Sequence, residues 1–196
     1  METLDAHYWD TRYIQNRTGW DAGEPTTPLR TFIDGLADRG LRILVPGAGN
    51  AWEVEYLVHR GFTDVHLLDW APTAIDRFRA RVPDFPDDHL HVGDFFEHTD
   101  TYDLMIEQTF FCALDPSLRP RYVEHAARLL APSGRLAGVL FDDPLNADHP
   151  PFGGSIDEYR RLFASHFDIH TLAPCTNSIP PRAGSEAFID LTVRHA

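Results

Sequence analysis

The chain has 196 residues, enough for one domain to bury an apolar core without disulfides or structural metals. Its net charge of -13 repels a phosphate backbone and no dense basic run offsets it, so we predict a small-molecule partner rather than nucleic acid. The apolar runs are too short for a membrane span and the first residues lack a secretory pattern, which predicts a cytoplasmic protein without membrane contact.

Helix and strand patterns alternate through the first half of the chain. The pair Thr27-Pro28 offers an N-cap followed by proline at the first helical position. The patterns predict, in order, a helix from there to about Gly40, a strand over 41–45, a turn over 46–50, a helix over 51–60, a strand over 65–68, a helix over 72–82 and a strand over 90–92. Such alternation is typical of parallel sheets, because parallel neighbours need a crossover connection.

The second half repeats this alternation and then breaks it. Ser155 and Glu158 have the spacing of a capping box, which predicts the start of the last helix. The predicted elements are a strand over 102–106, a helix over 120–130, a strand over 134–141, a helix from Ser155 to about 166, and strands over 167–172 and 187–193. With no helix between them, the last two strands are expected to pair antiparallel.

Together these elements predict one α/β domain over residues 1–196. We expect a Rossmann-like three-layer sandwich with a seven-stranded, mostly parallel sheet and one antiparallel edge strand. Open sheets of this kind bind ligands beyond the carboxyl ends of their strands. Candidate site residues are therefore those that follow the predicted strands.

A glycine turn follows the first predicted strand. Gly47 and Gly49, with Ala48 between them, let a ligand approach the backbone, and the free amides of the next helix favour an anionic group. The dinucleotide fingerprint requires a third glycine at the position of Trp52. This tryptophan argues against an NAD site.

Carboxylates follow the second and third predicted strands. Asp69, 20 residues after the second glycine, has the spacing of a residue that accepts hydrogen bonds from ribose hydroxyls. Asp94 is a candidate acceptor for an adenine amino group. Phe95 or Phe96 is expected on one face of that ring and Trp70 on the other. Each aspartate also has a structural alternative, because an aspartate after a strand is often only a cap.

Four segments carry a family resemblance that extends over nearly the whole chain. They are Leu44-Val45-Pro46-Gly47-Ala48-Gly49, Thr109-Phe110-Phe111-Cys112-Ala113-Leu114, Leu118-Arg119-Pro120, and the pattern Gly-Trp-Asp-x-Gly-x-Pro-Thr from Gly19 to Thr26. In these segments the chain resembles the thiopurine S-methyltransferase superfamily, and especially its branch of thiol and halide methyltransferases with their bacterial relatives.

The resemblance implies a class I methyltransferase fold and S-adenosylmethionine (SAM) as methyl donor, with S-adenosylhomocysteine (SAH) as product and no metal. The implied acceptor is a small thiol or another sulfur or chalcogen nucleophile. In the family an N-terminal segment closes over the cofactor, which here corresponds to residues 1–26 with Trp9 and Trp20. Aromatic rings there stabilise a sulfonium and exclude water, or they only dock the segment onto the core.

Two departures from the family pattern concern the site. Ala48 replaces the cysteine that relatives usually carry between the glycines, a small change for a backbone contact. Phe141 and Asp142 stand where halide-methylating plant members have tyrosine and proline, and the loop over 142–154 also differs. The second departure argues against a halide as the acceptor.

The residues expected near the methyl acceptor follow the fourth and fifth predicted strands or lie in loops. Positioning candidates are Glu107, Phe111 and Phe141, and we assign no general base. Glu107 is open to three roles, namely a weak base, a cofactor contact or a structural hydrogen-bond acceptor. Acceptor-binding candidates are Tyr13, Phe111, Phe152 and Arg182. The arginine is expected to attract an anionic acceptor, or to form a surface ion pair that positions its loop.

Two other functions remain open at this point. A protein that binds SAM or SAH without methyl transfer is compatible with Phe141 and the altered loop, and a nucleotide-dependent oxidoreductase is compatible with the fold. The 11 histidines show no metal-ligand spacing, so we predict no metal and assign them to the solvated surface. A monomer or a weak homodimer is expected.

Overall fold

The computed structural model describes residues 3–194, so the ends of the predicted domain, at 1–2 and 195–196, lie outside the described residues. The helices are α1 Ala6–Ile14, α2 Thr27–Gly35, α3 Trp52–His59, α4 Pro72–Arg81, α5 Arg119–Leu129 and α6 Ile156–Phe163. The strands are β1 Arg42–Pro46, β2 Asp64–Asp69, β3 Leu90–Val92, β4 Tyr102–Gln108, β5 Leu130–Phe141, β6 Phe167–Pro174 and β7 Glu186–Val193. Within residues 3–194, no helix combines the length and apolar composition needed to cross a bilayer.

The seven strands form one sheet in the order β3-β2-β1-β4-β5-β7-β6. The pairs from β3 to β5 are parallel, while β7 runs antiparallel to both β5 and β6. The predicted seven-stranded, mostly parallel sheet with one reversed strand is confirmed. The reversed strand lies one place in from the edge, because β7 returns from β6 without a crossover and fills the gap beside β5.

Helices cover both faces of the sheet and give two apolar cores. On one face α2, α3 and α4 contribute buried residues that include Leu29, Leu57 and Phe78. On the other face α5 and α6 contribute residues that include Tyr122 and Phe163. This is the predicted three-layer sandwich.

Three predicted element boundaries differ from the structure by three or more residues. The second helix ends at Gly35 rather than about Gly40, because Leu36 turns to extended backbone. β5 begins at Leu130 rather than Gly134, since the strand continues through a register shift opposite Tyr102 and Leu104. The last helix ends at Phe163 rather than about 166.

The capping box before α6 is formed in part. The Ser155 hydroxyl oxygen accepts from the Glu158 amide at 3.3 Å, as predicted. The Glu158 carboxylate accepts from Arg119 Nη1 at 2.6 Å, which ties α6 to α5. The Glu158 carboxylate therefore pairs with Arg119 instead of capping the end of its own helix, as the local sequence predicted.

Helix α1 was not predicted, because its apolar residues do not form a continuous stripe. Its first turn is capped by Asp5, whose carboxylate accepts from the Tyr8 amide at 2.9 Å. The helix packs on α4, where Asp10 accepts from the Thr73 amide at 2.9 Å and Arg77 donates to the Tyr13 carbonyl at 2.5 Å. Tertiary contacts thus hold a segment whose sequence pattern is weak.

Glu107, near the end of β4, is completely buried and acts as an internal hydrogen-bond acceptor. One carboxylate oxygen accepts from the amides of Phe110 and Phe111 at 2.9 and 2.8 Å, and the other accepts from the Tyr122 hydroxyl at 2.8 Å. Burial raises the pKa of Glu107 to about 7, although these three hydrogen bonds oppose the shift. The side chain fixes the turn that leaves β4.

We expect Glu107→Gln to change how stability depends on pH. Between about pH 4.5 and 7 the unfolded chain ionises this group before the folded protein does, so the free energy of unfolding of the wild type falls as pH rises. Glutamine does not titrate, and its carbonyl can accept from both amides while its NH₂ group donates to Tyr122. As pH rises across this window, the free energy of unfolding of the variant should increase relative to that of the wild type by on the order of 3 kcal/mol. Urea denaturation at stepped pH measures this difference.

The matched control is Glu97→Gln, at a glutamate whose side chain is 79% exposed. Its stability profile should parallel that of the wild type. The other strongly shifted glutamate, Glu53, is retained in every variant, so its titration cancels in the comparison. Parallel profiles for wild type and Glu107→Gln would contradict the burial of an ionisable Glu107.

Candidate functional site

A cavity of about 730 Å³ opens at the carboxyl ends of the parallel strands. Its walls come from α1 and the following loop, the turns after β1, β2, β3 and β4, and the loops after β5 and before β7. The cavity lies where sequence analysis placed the ligand. Eleven predicted site residues line it: Trp9, Tyr13, Trp20, Gly47, Asp69, Trp70, Asp94, Phe95, Phe96, Phe141 and Arg182.

The turn after β1 has a backbone that only glycine adopts without strain at two positions. Gly47 and Gly49 both have φ of 56°. A Cβ on Gly47 would lie 2.3 Å from the Phe110 ring, and one on Gly49 would lie 2.5 Å from the Tyr13 hydroxyl. Gly47 forms part of the cavity wall, while Ala48 and Gly49 lie behind it. The turn therefore presents bare backbone to a ligand at Gly47.

Asp69, the last residue of β2, connects this turn to the next loop. Its carboxylate oxygens accept from the Gly49 amide at 2.7 Å and from the Ala71 amide at 2.8 Å. Burial raises the pKa of Asp69, and the backbone hydrogen bonds oppose that shift. Only 8% of the residue is exposed, and that part faces the cavity. A carboxylate offers about four lone-pair sites, so Asp69 keeps capacity to accept from a hydroxyl of a ligand.

The turn after β3 supplies a second carboxylate and two aromatic rings. Asp94 accepts from the Phe96 amide at 2.9 Å, which is the cap that sequence analysis kept as an alternative. The rings of Phe95 and Phe96 meet edge to face with centroids 5.4 Å apart. Phe95 also stacks on Tyr122, at 5.3 Å, so it belongs to the core and to the cavity wall at once.

Three aromatic side chains of the N-terminal segment form one cluster over the cavity. The Trp20 ring lies edge-on to Trp9 at 5.6 Å and to Tyr13 at 5.8 Å between centroids. Tyr13 is only 4% exposed, and burial raises the pKa of its hydroxyl. The structure thus places Tyr13 against the glycine turn as well as in the predicted pocket. This cluster joins the N-terminal segment to the loops that line the cavity.

Arg182 links the N-terminal segment to the loop before β7. Its Nη2 donates to the Trp20 carbonyl at 2.5 Å, and its Nη1 lies 3.4 Å from the Glu186 carboxylate. The guanidinium carbon is 5.7 Å from the Phe141 ring centroid. Sequence analysis could not identify the ion-pair partner, which is Glu186. The arginine is mostly buried by these contacts and still lines the cavity, so the ion pair is formed, while attraction of an anionic acceptor stays a prediction.

Besides Ala48 and Gly49, three predicted site residues are not brought to the cavity. Glu107 makes the structural hydrogen bonds described above. Phe111 is 1% exposed and packs between Tyr122 and Tyr159, with centroids at 5.0 and 5.6 Å. Phe152 is 3% exposed, because the adjoining loop folds inward where its amide donates to the Cys112 carbonyl at 2.7 Å. The expectation that Phe111 and Phe152 face the acceptor is corrected to a role in packing.

Sequence analysis missed several cavity residues. Arg121 lies in the first turn of α5, with its guanidinium carbon 4.2 Å from the Phe96 ring centroid. Tyr8 and Arg12 lie on α1, where Arg12 Nη2 donates to the Tyr8 hydroxyl at 2.5 Å. The first of these follows the family segment Leu118-Arg119-Pro120, which was a usable signal. The other two depend on a helix that was not predicted.

Comparisons with known proteins agree with this geometry. The Arabidopsis thaliana protein named "Probable thiol methyltransferase 2" is 29% identical over 186 residues, which cover 91% of this chain and 81% of that protein. The "Thiopurine S-methyltransferase" of Photobacterium profundum is 27% identical over 176 residues, which cover 82% and 83% of the two chains.

Solved structures show the same fold. The crystal structure of Burkholderia thailandensis 1,6-didemethyltoxoflavin-N1-methyltransferase, with bound 1,6-didemethyltoxoflavin and SAH, aligns at a TM-score of 0.74 and 17% identity, covering 97% of this chain and 87% of that one. At this identity the likeness concerns the fold alone, and it confirms the predicted class I arrangement. The sequence model of the family described as Thiopurine S-methyltransferase (TPMT) matches residues 4–188, and the chain belongs to this family.

Proposed function

We propose that this protein transfers the methyl group of SAM to a small thiol or another sulfur or chalcogen nucleophile. The observation that carries this proposal is the joint position of the Gly47 backbone and the Asp69 carboxylate in one cavity at the sheet edge. Family membership supplies the reaction class, since the matched family is defined by S-methyl transfer. The wall chemistry then indicates how this chain serves it.

The cavity residues fit SAM in chemical type. The ribose hydroxyls would find an acceptor in Asp69, and the adenine would find Asp94 with the rings of Trp70 and Phe96. The amino acid portion would lie against the bare Gly47 backbone in the cavity wall, where glycine is required because a Cβ would collide with Phe110. Each part of the cofactor thus has a matching surface.

When bound, SAM supplies a methyl carbon attached to a sulfonium sulfur. A thiolate would attack this carbon in line with the C–S bond. The new C–S bond forms as the old one breaks, and its electron pair stays on the sulfur of SAH. The chain's own residues position the reactants and exclude water. Trp9 and Trp20 close one side of the cavity, and their ring faces favour a nearby cation. Such alignment can lower a barrier by about 7 to 11 kcal/mol, so a dedicated base is not required.

Arg182 is proposed to favour an anionic acceptor. Its guanidinium is held between Trp20, Glu186 and the Phe141 ring, so its donors keep a fixed orientation beside the cavity. A fixed positive charge stabilises a thiolate relative to its thiol. Glu107 cannot take the thiol proton readily, because both of its oxygens already accept hydrogen bonds away from the cavity.

Four further proposals rest on the same features. Residues 1–26 are proposed to cover the cofactor, which the aromatic cluster supports. One sheet with a core on each face supports a single domain over 1–196. We also propose a cytoplasmic monomer or weak homodimer. The net charge of -13 supports small molecules as partners rather than nucleic acid or membranes.

Asp69→Asn should weaken SAH binding measured by titration calorimetry. The amide NH₂ group cannot accept from a ribose hydroxyl, and it faces a backbone donor in place of an acceptor. We expect the dissociation constant to rise by about 5- to 150-fold, equivalent to about 1 to 3 kcal/mol. The control is Asp38→Asn, at an exposed carboxylate that also accepts a backbone amide, from Gly40. Equal SAH affinity in both variants would contradict the assignment.

Arg182→Gln should change acceptor preference. Assayed by SAH release, it should lose about tenfold more kcat/KM for mercaptoacetate, which carries a carboxylate, than for neutral 2-mercaptoethanol, a difference of about 1.4 kcal/mol. Arg182→Lys keeps the charge without the planar fork and should lose less. An equal loss for both thiols would contradict recognition of the substrate carboxylate by Arg182. SAH binding without turnover of any thiol would instead favour a protein that binds the cofactor without methyl transfer.

A further inference from the structure

The histidines that sequence analysis assigned to the solvated surface are in part gathered at one place. His66 on β2 stacks on His89 at 4.2 Å and lies parallel to His91 at 5.3 Å between ring centroids. His98 meets the His91 ring at 4.8 Å. His66 is only 3% exposed, so the prediction of surface solvation is wrong for it. These rings belong to the β2–β3 side of the sheet.

We propose that Asp64, His66 and His89 form a binding site for one zinc-like divalent cation. One ligand atom from each of the three residues lies within 4.8 Å of the others. Asp64 Oδ1 is 2.8 Å from His66 Nε2 and 3.9 Å from His89 Nε2. Zinc bonds of about 2.05 Å at tetrahedral angles require ligand separations of about 3.3 Å, which lies between these two distances. The two imidazoles are stacked with their planes 24° apart, so one ring must rotate out of the stack for both lone pairs to meet at one cation.

Neighbouring groups orient both imidazoles for a metal. His89 Nδ1 lies 3.1 Å from the Val65 carbonyl, which can only accept, so the ring hydrogen is on Nδ1 and Nε2 keeps its lone pair. His66 Nδ1 lies 3.0 Å from His91 Nε2. Ligating histidines usually hold their second nitrogen in such a hydrogen bond. A cation would replace the hydrogen between His66 Nε2 and Asp64, and His66 would then donate from Nδ1 to His91.

The donor set selects the class of ion. Two imidazole nitrogens and one carboxylate oxygen suit zinc and similar borderline transition metals, whereas magnesium and calcium prefer oxygen ligands. Three protein ligands leave a coordination position for water. The Asp64 and His89 side chains are 40% and 19% exposed, so an ion can enter from solvent.

Arg42 limits the affinity. Its Nε lies 4.0 Å from the same Asp64 oxygen, and its Nη2 binds Asp100 at 2.5 Å. Asp100 is the closer partner of Arg42. The arginine therefore keeps an ion pair when a cation binds to Asp64. Its positive charge nevertheless repels a dication, so we expect a Kd in the micromolar range rather than the tighter values of closed zinc sites.

The site is separate from the methyl-transfer cavity. Asp64 begins β2 and Asp69 ends it, so at about 3.3 Å per residue the two ends lie roughly 16 Å apart. A bound cation would join β2 to the segment before β3, the three-residue strand at the sheet edge. Its role would be to stabilise this edge, and the proposal does not depend on the methyl-transfer assignment.

The test uses tag-free, full-length protein treated with EDTA and then dialysed. Titration calorimetry with zinc sulfate should show one saturable site, and magnesium should show none at the same concentration. His89→Gln and Asp64→Asn should each weaken zinc binding at least tenfold. The control is His170→Gln, at an exposed histidine that contacts Thr192 on β7, and it should bind zinc as the wild type does.

Cobalt(II) gives a second readout, because a tetrahedral site with nitrogen and oxygen ligands absorbs visible light much more strongly than octahedral aqueous cobalt. Far-UV circular dichroism identifies any variant that fails to fold, and either ligand variant alone is sufficient for the comparison. Absence of saturable zinc binding in the wild type would overturn the proposal. Unchanged affinity in a folded His89→Gln or Asp64→Asn variant would overturn it as well.

Discussion

The hydrogen bond of 2.7 Å from the Gly49 amide to the Asp69 carboxylate joins the two loops that form the floor of the cavity. This hydrogen bond depends on the positive φ of Gly47 and Gly49. Any other residue there would place a Cβ against Phe110 or Tyr13. The Ala71 amide holds the second carboxylate oxygen, so the acceptor is oriented before a ligand arrives. Because the carboxylate is already oriented, little conformational entropy is lost when a ligand binds, and more of the interaction free energy contributes to affinity.

The rest of the site is assembled around this floor from segments far apart in the chain. Arg182 reaches across 162 positions to the Trp20 carbonyl, so the N-terminal segment and the loop before β7 are fixed together. Beneath them, Glu107 holds the turn after β4 through two backbone amides. The walls proposed for the cofactor and for the acceptor therefore share supports, and a change in one is expected to reach the other.

Sequence alone predicted the strands, the glycine turn and the carboxylates, because these follow from local periodicity and from placement at strand ends. It placed the wrong one of two adjacent rings at the cavity, Phe111 rather than Phe110. Thr109 adopts φ of 57°, and this turn directs Phe110 to the wall and Phe111 into the core. Likewise His66 and His89 lie 23 positions apart and meet only because β2 and β3 are neighbours. Such facts belong to tertiary packing.

A crystal structure of the protein with SAH at saturating concentration tests the assignment of the cavity most directly. We expect the adenosyl group in the crevice beside Gly47, with ribose hydroxyl oxygens within about 3.2 Å of the Asp69 carboxylate. SAH bound elsewhere, or a crevice without SAH under those conditions, would contradict the role given to the glycine turn and to Asp69.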